Sequence, residues 1–397
     1  LGQKGAQLEE PRAELEHSTV CPFPARAWLN DKLVATSSRT LRVEQADGLP
    51  MLCFPVSDLK RELPAVAGEV LLSAPDGYVA FNAGDARVRV TLVDDCGSTD
   101  ERDHTLKRFP TWGDVSHLLD MLNVRRDDDG TYVSVIRGNA VNQHRGVVEG
   151  SQMLAQSIVA AGRHAPGRRV VSASMVFMRA ASTSEPLRIQ LEELSTGRNF
   201  TTVAPHVRQA GKLCASGIML LDATAPDVIR HAAPAPTTPG PYSSEAYDMS
   251  VTGRDVRFVD AAYTGDPNAP IGPPVIDAWV RFREVPDDPC LHAGLLAQFT
   301  GHVSIAAAMR PHAGIGQKQA HRTLSTAINA IGISFHTNVR ADRWMRYHHH
   351  STFAGDGMTH SECRVYDLDG VLLASFTVDA MMRRFSDERP KNDRTSL

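Results

Sequence analysis

Two side chains of this chain combine the right chemistry with the right setting to move protons. Glu149 stands at the head of the run Val148-Glu149-Gly150-Ser151-Gln152, and His302 lies in a later apolar stretch, Leu291 to Met309. A carboxylate and an imidazole are the commonest general acids and bases, because their protonation can be tuned to the working pH. Each also has a plain structural alternative. Glu149 can be a solvated carboxylate or one that favours a helix N-terminus through the dipole, and His302 can be a satisfied core residue. Gly150 and Ser151 offer a third element, since unpaired amides at a helix N-terminus bind an oxyanion or a phosphate with no particular side chain. Gln152 can donate to an acyl carbonyl or anchor a neighbouring backbone group.

Other chemistries find less support. There is no G-x-S-x-G elbow for a serine hydrolase, and Gly150-Ser151 belongs to a helix start instead. The run His348-His349-His350 suggests metal, but neighbouring residues on a strand face opposite ways and cannot converge on one ion, so no metal is expected. Cys21, Cys53, Cys96, Cys214, Cys290 and Cys363 are widely spaced, with no C-x-x-C pair, which reads as free thiols in a reducing cytoplasm. A net charge of -4 with both signs interspersed gives no stripe for nucleic acid, and no apolar run is long enough to cross a bilayer. With 397 residues and 42% hydrophobic content, two or three domains with ample cores are expected in a protein that binds neither nucleic acid nor membrane.

The elements that must position Glu149 and His302 can be read along the chain. Residues 1–23 are polar and aperiodic, a flexible leader. Residues 24–105 carry short alternating strands, with an Asn30-Asp31 turn between Ala27–Leu29 and Lys32–Ala35. Near Pro110 the pattern changes to an amphipathic helix, Val115 to Leu122, an acidic turn, Asp127 to Gly130, and a strand, Tyr132 to Ile136. Met153, Leu154, Ile158 and Val159 then recur at helical spacing, so a helix over Gly150 to Gly162 lays one face on a sheet. Strands are expected over Leu187 to Glu192 and Lys212 to Leu220. Residues 223–250, with Pro234, Pro236, Pro239 and Pro241, form a linker without regular structure. Residues 251–386 repeat the plan, with a strand over Ala278 to Arg283, a helix over Leu291 to Met309 and a hairpin from Cys363 to Asp379; residues 387–397 are a tail.

The helix run V-E-G-S-Q-M-L-A-Q-S-I-V-A-A-G-R resembles the central helix of the acyl-CoA thioesterase II family, which reads like V-F-G-G-Q-V-L-A-Q-A-L-V-A-A-G-R. The resemblance continues through Leu194-Ser195-Thr196-Gly197-Arg198-Asn199-Phe200, Pro286-Asp287-Asp288-Pro289, Arg310-Pro311-His312, Phe335-His336 and Tyr366-Asp367-Leu368-Asp369-Gly370, in order. It implies an α+β fold, a tandem of two hotdog units over 111–222 and 251–386 packed as an internal pseudo-dimer, preceded by a small β-rich domain. That N-terminal domain resembles, in part, a small bacterial β domain of unknown function through D-K-L-V-A-T-S-S-R-T-L-R-V-E. Its usual cysteine- and lysine-bearing turn is replaced by Ala65 to Gly68, which implies a docking or stabilising module.

The resemblance also implies a catalytic set, and this chain departs from it. Counting from flanking residues, the family's aspartate falls on Gly301, its serine or threonine on Ile328 and its glutamine on Val378. One-residue slips offer Ala327, Thr377 or Asp379, but each turns the side chain to the other face. Hotdog dehydratases and isomerases pair a histidine with an acidic residue of the opposing fold, which implies Glu149 with His302 as a substitute pair. His336, in the framework Phe-His motif, is read as structural. The implied activity is processing of an acyl thioester carried on CoA or a carrier protein, with hydrolysis as the default and no cofactor. Dehydration, isomerisation or cyclisation of the acyl chain is the alternative reaction, and a non-catalytic acyl-binding scaffold the alternative role. Self-association of the chain stays open.

Overall fold

The structure is a computed structural model. It describes residues 18–20, 24–43, 51–61, 63–82, 85–93, 101–103, 116–134, 147–247, 253–261, 267–283, 285–321 and 323–385. The chain divides into two units, Leu1–Lys107 and Arg108–Leu397. Val135 and Ile136, most of the leader and the tail expected beyond 386 lie outside the described residues.

The first unit is built of short antiparallel strands in two sheets. One orders Lys32–Ser37, Ala25–Leu29, Val88–Val93 and Glu101–Asp103; the other runs Ser18–Val20, Leu41–Val43, Met51–Pro55, Tyr78–Phe81 and Leu71–Leu72. Asn30 and Asp31 both take positive φ (48° and 58°), as a two-residue hairpin turn requires, and Asn and Asp tolerate this region. The expectation of a leader through residue 23 needs correction. Ser18–Val20 pairs antiparallel with Leu41–Val43, a long-range partner that local composition does not reveal.

In the second unit two hotdogs share one 13-stranded sheet. The first half contributes Arg188–Thr196, Phe200–Gln209, Lys212–Asp222 and Arg169–Phe177 in spatial order; the second continues with Leu324–Phe335, Leu372–Arg384, Met358–Tyr366 and Met345–Gly355. The halves join where Arg169–Phe177 pairs antiparallel with Leu324–Phe335, from Ser172↔Ser334 to Val176↔Ala330.

Helix α1 (Ser116–Leu122), helix α2 (Gly150–His164) and helix α3 (Pro289–Phe299) pack against this sheet in one hydrophobic core. Helix α2 buries Leu154, Ile158 and Val159, each contributing about 1.5–3 kcal/mol by removal from water. Helix α3 is buried nearly all round, with Leu291, Leu295, Leu296 and Phe299 inside. The two helices run antiparallel in close contact, because small residues stand where they meet. A Cβ on Gly294 would lie 2.9 Å from Val159, one on Gly162 would collide with Cys290 Sγ, and one on Gly301 would collide with Ser151 Oγ.

The second central helix departs from its expected span. Leu291 to Met309 reads as one apolar stretch, but α3 ends at Phe299 and a separate α4 (Ser304–Met309) follows. At Val303 the backbone takes φ 74°, ψ -35°, and Ser304 N–H donates to His302 C=O at 2.9 Å. This is a γ-turn-like reversal on a β-branched residue, a conformation that stores on the order of 1–3 kcal/mol of strain.

The expected linker is also corrected. Residues 223–240 lack helix and strand, but Pro241–Ser243 is a 3-10 turn and Glu245–Ala246 is an edge strand on Arg254–Phe258. The proline segment is pinned along its length: Tyr366 OH donates to Pro234 C=O (3.3 Å), Arg346 Nη1 to Pro236 C=O (2.7 Å) and Trp279 Nε1 to Pro239 C=O (3.0 Å). Among the described residues no helix is long and apolar enough to cross a membrane.

Candidate active site

The break between α3 and α4 projects His302 toward the head of α2. Its Nε2 lies 3.7 Å from Glu149 Oε2, and the two side chains are 16% and 18% exposed. Glu149 is the N-cap residue of α2, with extended backbone, and its carbonyl accepts from Gln152 N–H (3.1 Å) and Met153 N–H (3.2 Å). Its side chain makes no capping bond to the helix. The carboxylate is aimed at the imidazole instead, so each hotdog supplies one member of the pair.

His302 is held from behind by α3. It packs on the Phe299 ring at 5.0 Å between centroids and stands 3.5 Å from Gln298 Nε2. Gln298 Oε1 accepts from Arg254 Nη1 at 3.0 Å, and Arg254 and Gln298 are both 1% exposed. Arginine has only donors, so it fixes the amide with oxygen toward the guanidinium and nitrogen toward His302. The imidazole is oriented by a buried chain of Arg254, Gln298 and Phe299.

Glu149, Gly150 and Ser151 line a cavity of about 330 Å³ together with Gly301 and Ile328, with Phe177, Met153, Ile305 and Met381 supplying apolar surface. Gly150 is required there, because a Cβ would stand 2.9 Å from the Phe177 ring. Ser151 is fully buried, its Oγ pressed against Gly301 and without a hydrogen-bond partner. Thus Gly301 and Ile328, where the family resemblance places an aspartate and a hydroxyl, do meet at one cleft, and the polar group beside them is the Ser151 hydroxyl. Val378 is buried in the sheet opposite Ile331, and Gln152 is half-buried; neither lines the cavity.

Four polar residues of the cavity escaped sequence reasoning: Arg179, Thr326, Asn329 and His321. Thr326 precedes Ile328 by two, so it shares the face of that residue, and its Oγ1 lies 3.3 Å from His321 Nε2. A step of two along the strand would have found it where a step of one could not. Asn329 sits at a bulge, where the pairing of Leu324–Phe335 with Leu372–Arg384 shifts between Ile328 and Ala330. Its Oδ1 is buried without a hydrogen-bond partner.

The remaining candidates serve the framework. His336 Nε2 is 2.9 Å from Ser375 Oγ, and burial lowers its pKa. His348 Nδ1 is 3.0 Å from Asp277, His350 is exposed, and His349 is fully buried, its Nδ1 3.1 Å from Ser304 Oγ and 3.3 Å from Cys363 Sγ. Burial first, then the nearby His348 and His302, pushes His349 down to about 3, and burial pushes the Cys363 thiol up to about 12. Both groups are neutral and enclosed. Among the described residues no group of three or more His, Cys, Asp or Glu side chains could hold a metal ion. Cys53, Cys214, Cys290 and Cys363 are free thiols.

Two family profiles match in tandem, the acyl-CoA thioesterase N-terminal domain over residues 140–221 and the acyl-CoA thioesterase C-terminal domain over residues 226–382. The chain belongs to the acyl-CoA thioesterase II family. It is 25% identical over 273 residues to acyl-coenzyme A thioesterase 8 of Homo sapiens, covering 59% of this chain and 80% of that protein. Among solved structures, it is similar to the tesB protein of Mycobacterium avium subs paratuberculosis (TM-score 0.57, 20% identity, 68% of this chain and 99% of that one). The acyl-CoA thioesterase II TesB2 of Mycobacterium marinum is similar too (TM-score 0.56, 23% identity, 69% of this chain and 100% of that one). At these identities the structural likeness carries the fold, a tandem hotdog. The C-terminal profile begins inside the proline segment, in keeping with a strap that belongs to the second hotdog.

Proposed function

We propose that this thioesterase II family member hydrolyses an acyl thioester, carried on CoA by default or on a carrier protein, through Glu149 and His302. The observation that carries this reading is the 3.7 Å approach of the two side chains, one from each hotdog, with Glu149 itself lining the cavity and His302 behind it, outside the lining. His302 takes a proton from a water as its oxygen bonds to the thioester carbonyl carbon, and the Glu149 carboxylate stabilises the resulting imidazolium. General-base assistance of this kind is worth about 10²–10⁴-fold. The developing oxyanion meets the Ser151 hydroxyl and the Gly150 and Ser151 amides, which precede the first amides bonded to the Glu149 carbonyl. Collapse breaks the C–S bond, and His302 returns its proton to the departing thiolate. The products are a carboxylic acid and a free thiol.

The same pair is competent to remove and return protons on an acyl chain, which keeps dehydration, isomerisation or cyclisation as the second reading. Incubation of the purified chain with a panel of acyl-CoAs, following free thiol and the acyl product together, separates them. Thiol release is expected. An altered acyl chain with the thioester retained would replace hydrolysis with the second reading, and neither change would leave an acyl-binding scaffold.

A further inference from the structure

The cavity is mostly apolar, yet two of its buried polar atoms have no protein partner: Ser151 Oγ and Asn329 Oδ1. Neither is incidental. Ser151 is 0% exposed, and its hydroxyl meets the same point beside Gly301 that Ile328 Cδ1 approaches, at 3.4 Å from where a Gly301 Cβ would stand. Asn329 follows Ile328 and by simple alternation would face away from it. The bulge between Ile328 and Ala330 breaks that alternation, so both side chains line the cavity. A bulge beside a site commonly re-aims one side chain in this way. Burying an amide in an apolar wall without a partner is costly, and the cost is recovered when a ligand supplies the missing hydrogen bond.

Resting on the thioester reading above, we infer that the acyl group taken by this site carries a hydroxyl substituent near its thioester carbonyl, and that this hydroxyl donates to Asn329 Oδ1. Ser151, next to Glu149, serves the carbonyl end; Asn329, on the strand Leu324–Phe335 beyond Ile328, serves the substituent. A plain alkyl chain fills the apolar surface of Phe177, Ile305 and Met381 but leaves the Asn329 amide unpaired. A site built to hydrogen-bond a group discriminates strongly against an analogue that lacks it.

The test is direct binding of non-hydrolysable thioether analogues of CoA esters to the full chain by calorimetry. Three acyl groups of equal length are compared: saturated, 3-hydroxy and 3-oxo. The 3-hydroxy analogue is expected to bind about tenfold tighter or more than the saturated and 3-oxo ones, since only it can donate to Asn329 Oδ1, and Asn329→Leu, of similar size, to abolish the difference. Asn329→Ala serves if the leucine variant misfolds. The inference is overturned if the saturated or the 3-oxo analogue binds within about threefold of the 3-hydroxy one, or if folded Asn329 variants keep the preference. The hydrolase reading is distinguished by thiol release from the matching true thioesters. Preference without thiol release sinks hydrolysis alone, thiol release without preference sinks this inference alone, and no binding of any analogue sinks both.

Discussion

Ser151 occupies the space that a side chain on Gly301 would need. The family resemblance places a glycine at the first position and an aspartate at the second, so the two sites have exchanged bulk across the α2–α3 contact. The hydroxyl now stands where a carboxylate stem would begin. The loss of polar groups at Gly301 and Ile328 is therefore a reconstruction of the cleft, with Glu149 and His302 beside it, rather than an empty space.

Gly301→Asp alone should force overpacking against Ser151 and cost about 1–3 kcal/mol of stability. Ser151→Gly combined with Gly301→Asp should recover most of that loss, since neighbours in contact do not add independently. Denaturant midpoints of the four proteins in the cycle check this. A double variant as unstable as Gly301→Asp would show that the contact is not what limits the position.

Glu149→Gln and His302→Ala should each lower turnover of the true substrate by more than about tenfold, a loss above about 1.4 kcal/mol of transition-state stabilisation. Their combined effect should fall well short of the product of the two, because the residues act as one unit. Rates within tenfold of the parent would exclude both as acid or base.

Gln298→Leu should lower kcat by roughly tenfold with little change in KM, since it frees the imidazole without touching the acyl cavity. Steady-state kinetics decide it. A change confined to KM would place Gln298 in binding instead.

Stability should decline as pH falls below about 6.5 and continue to decline toward about 3. His349 is the main cause: its folded pKa is depressed to about 3, so in this window the unfolded chain takes up a proton that the folded chain refuses. Above the unfolded value both states are neutral and the effect vanishes. His292, buried and lowered chiefly by that burial, acts in the same direction. His349→Gln, which retains a hydrogen-bonding group toward Ser304, should flatten the curve of unfolding free energy against pH. An unchanged slope would assign the acid sensitivity elsewhere.

The fold was legible because its blocks are local: the α2 stripe of Met153, Leu154, Ile158 and Val159, and the Asp127 to Gly130 turn, announce themselves in short windows. The pairing of Glu149 with His302 was implied by the resemblance to hotdog dehydratases and isomerases, which draw a histidine and an acidic residue from opposing folds. What sequence could not show was register and interruption. An apolar stretch from Leu291 to Met309 carries no mark of the reversal at Val303, and the count that led to Ile328 passed over Thr326 and could not foresee the bulge that turns Asn329 inward. The pairing of Ser18–Val20 and the anchoring of Pro234 to Pro239 depend on partners distant in sequence.

At one end of the α2–α3 contact Ser151 meets Gly301, and at the other Cys290 meets Gly162. Two identical chains related by a two-fold axis would copy every substitution into both ends. Joining the halves in one polypeptide removes that obligation. One end can acquire a carboxylate and an imidazole while the other keeps the Cys290 thiol, so drift at the second end is free of any penalty at the first. Covalent duplication gives this protein the means to specialise one cleft at a time.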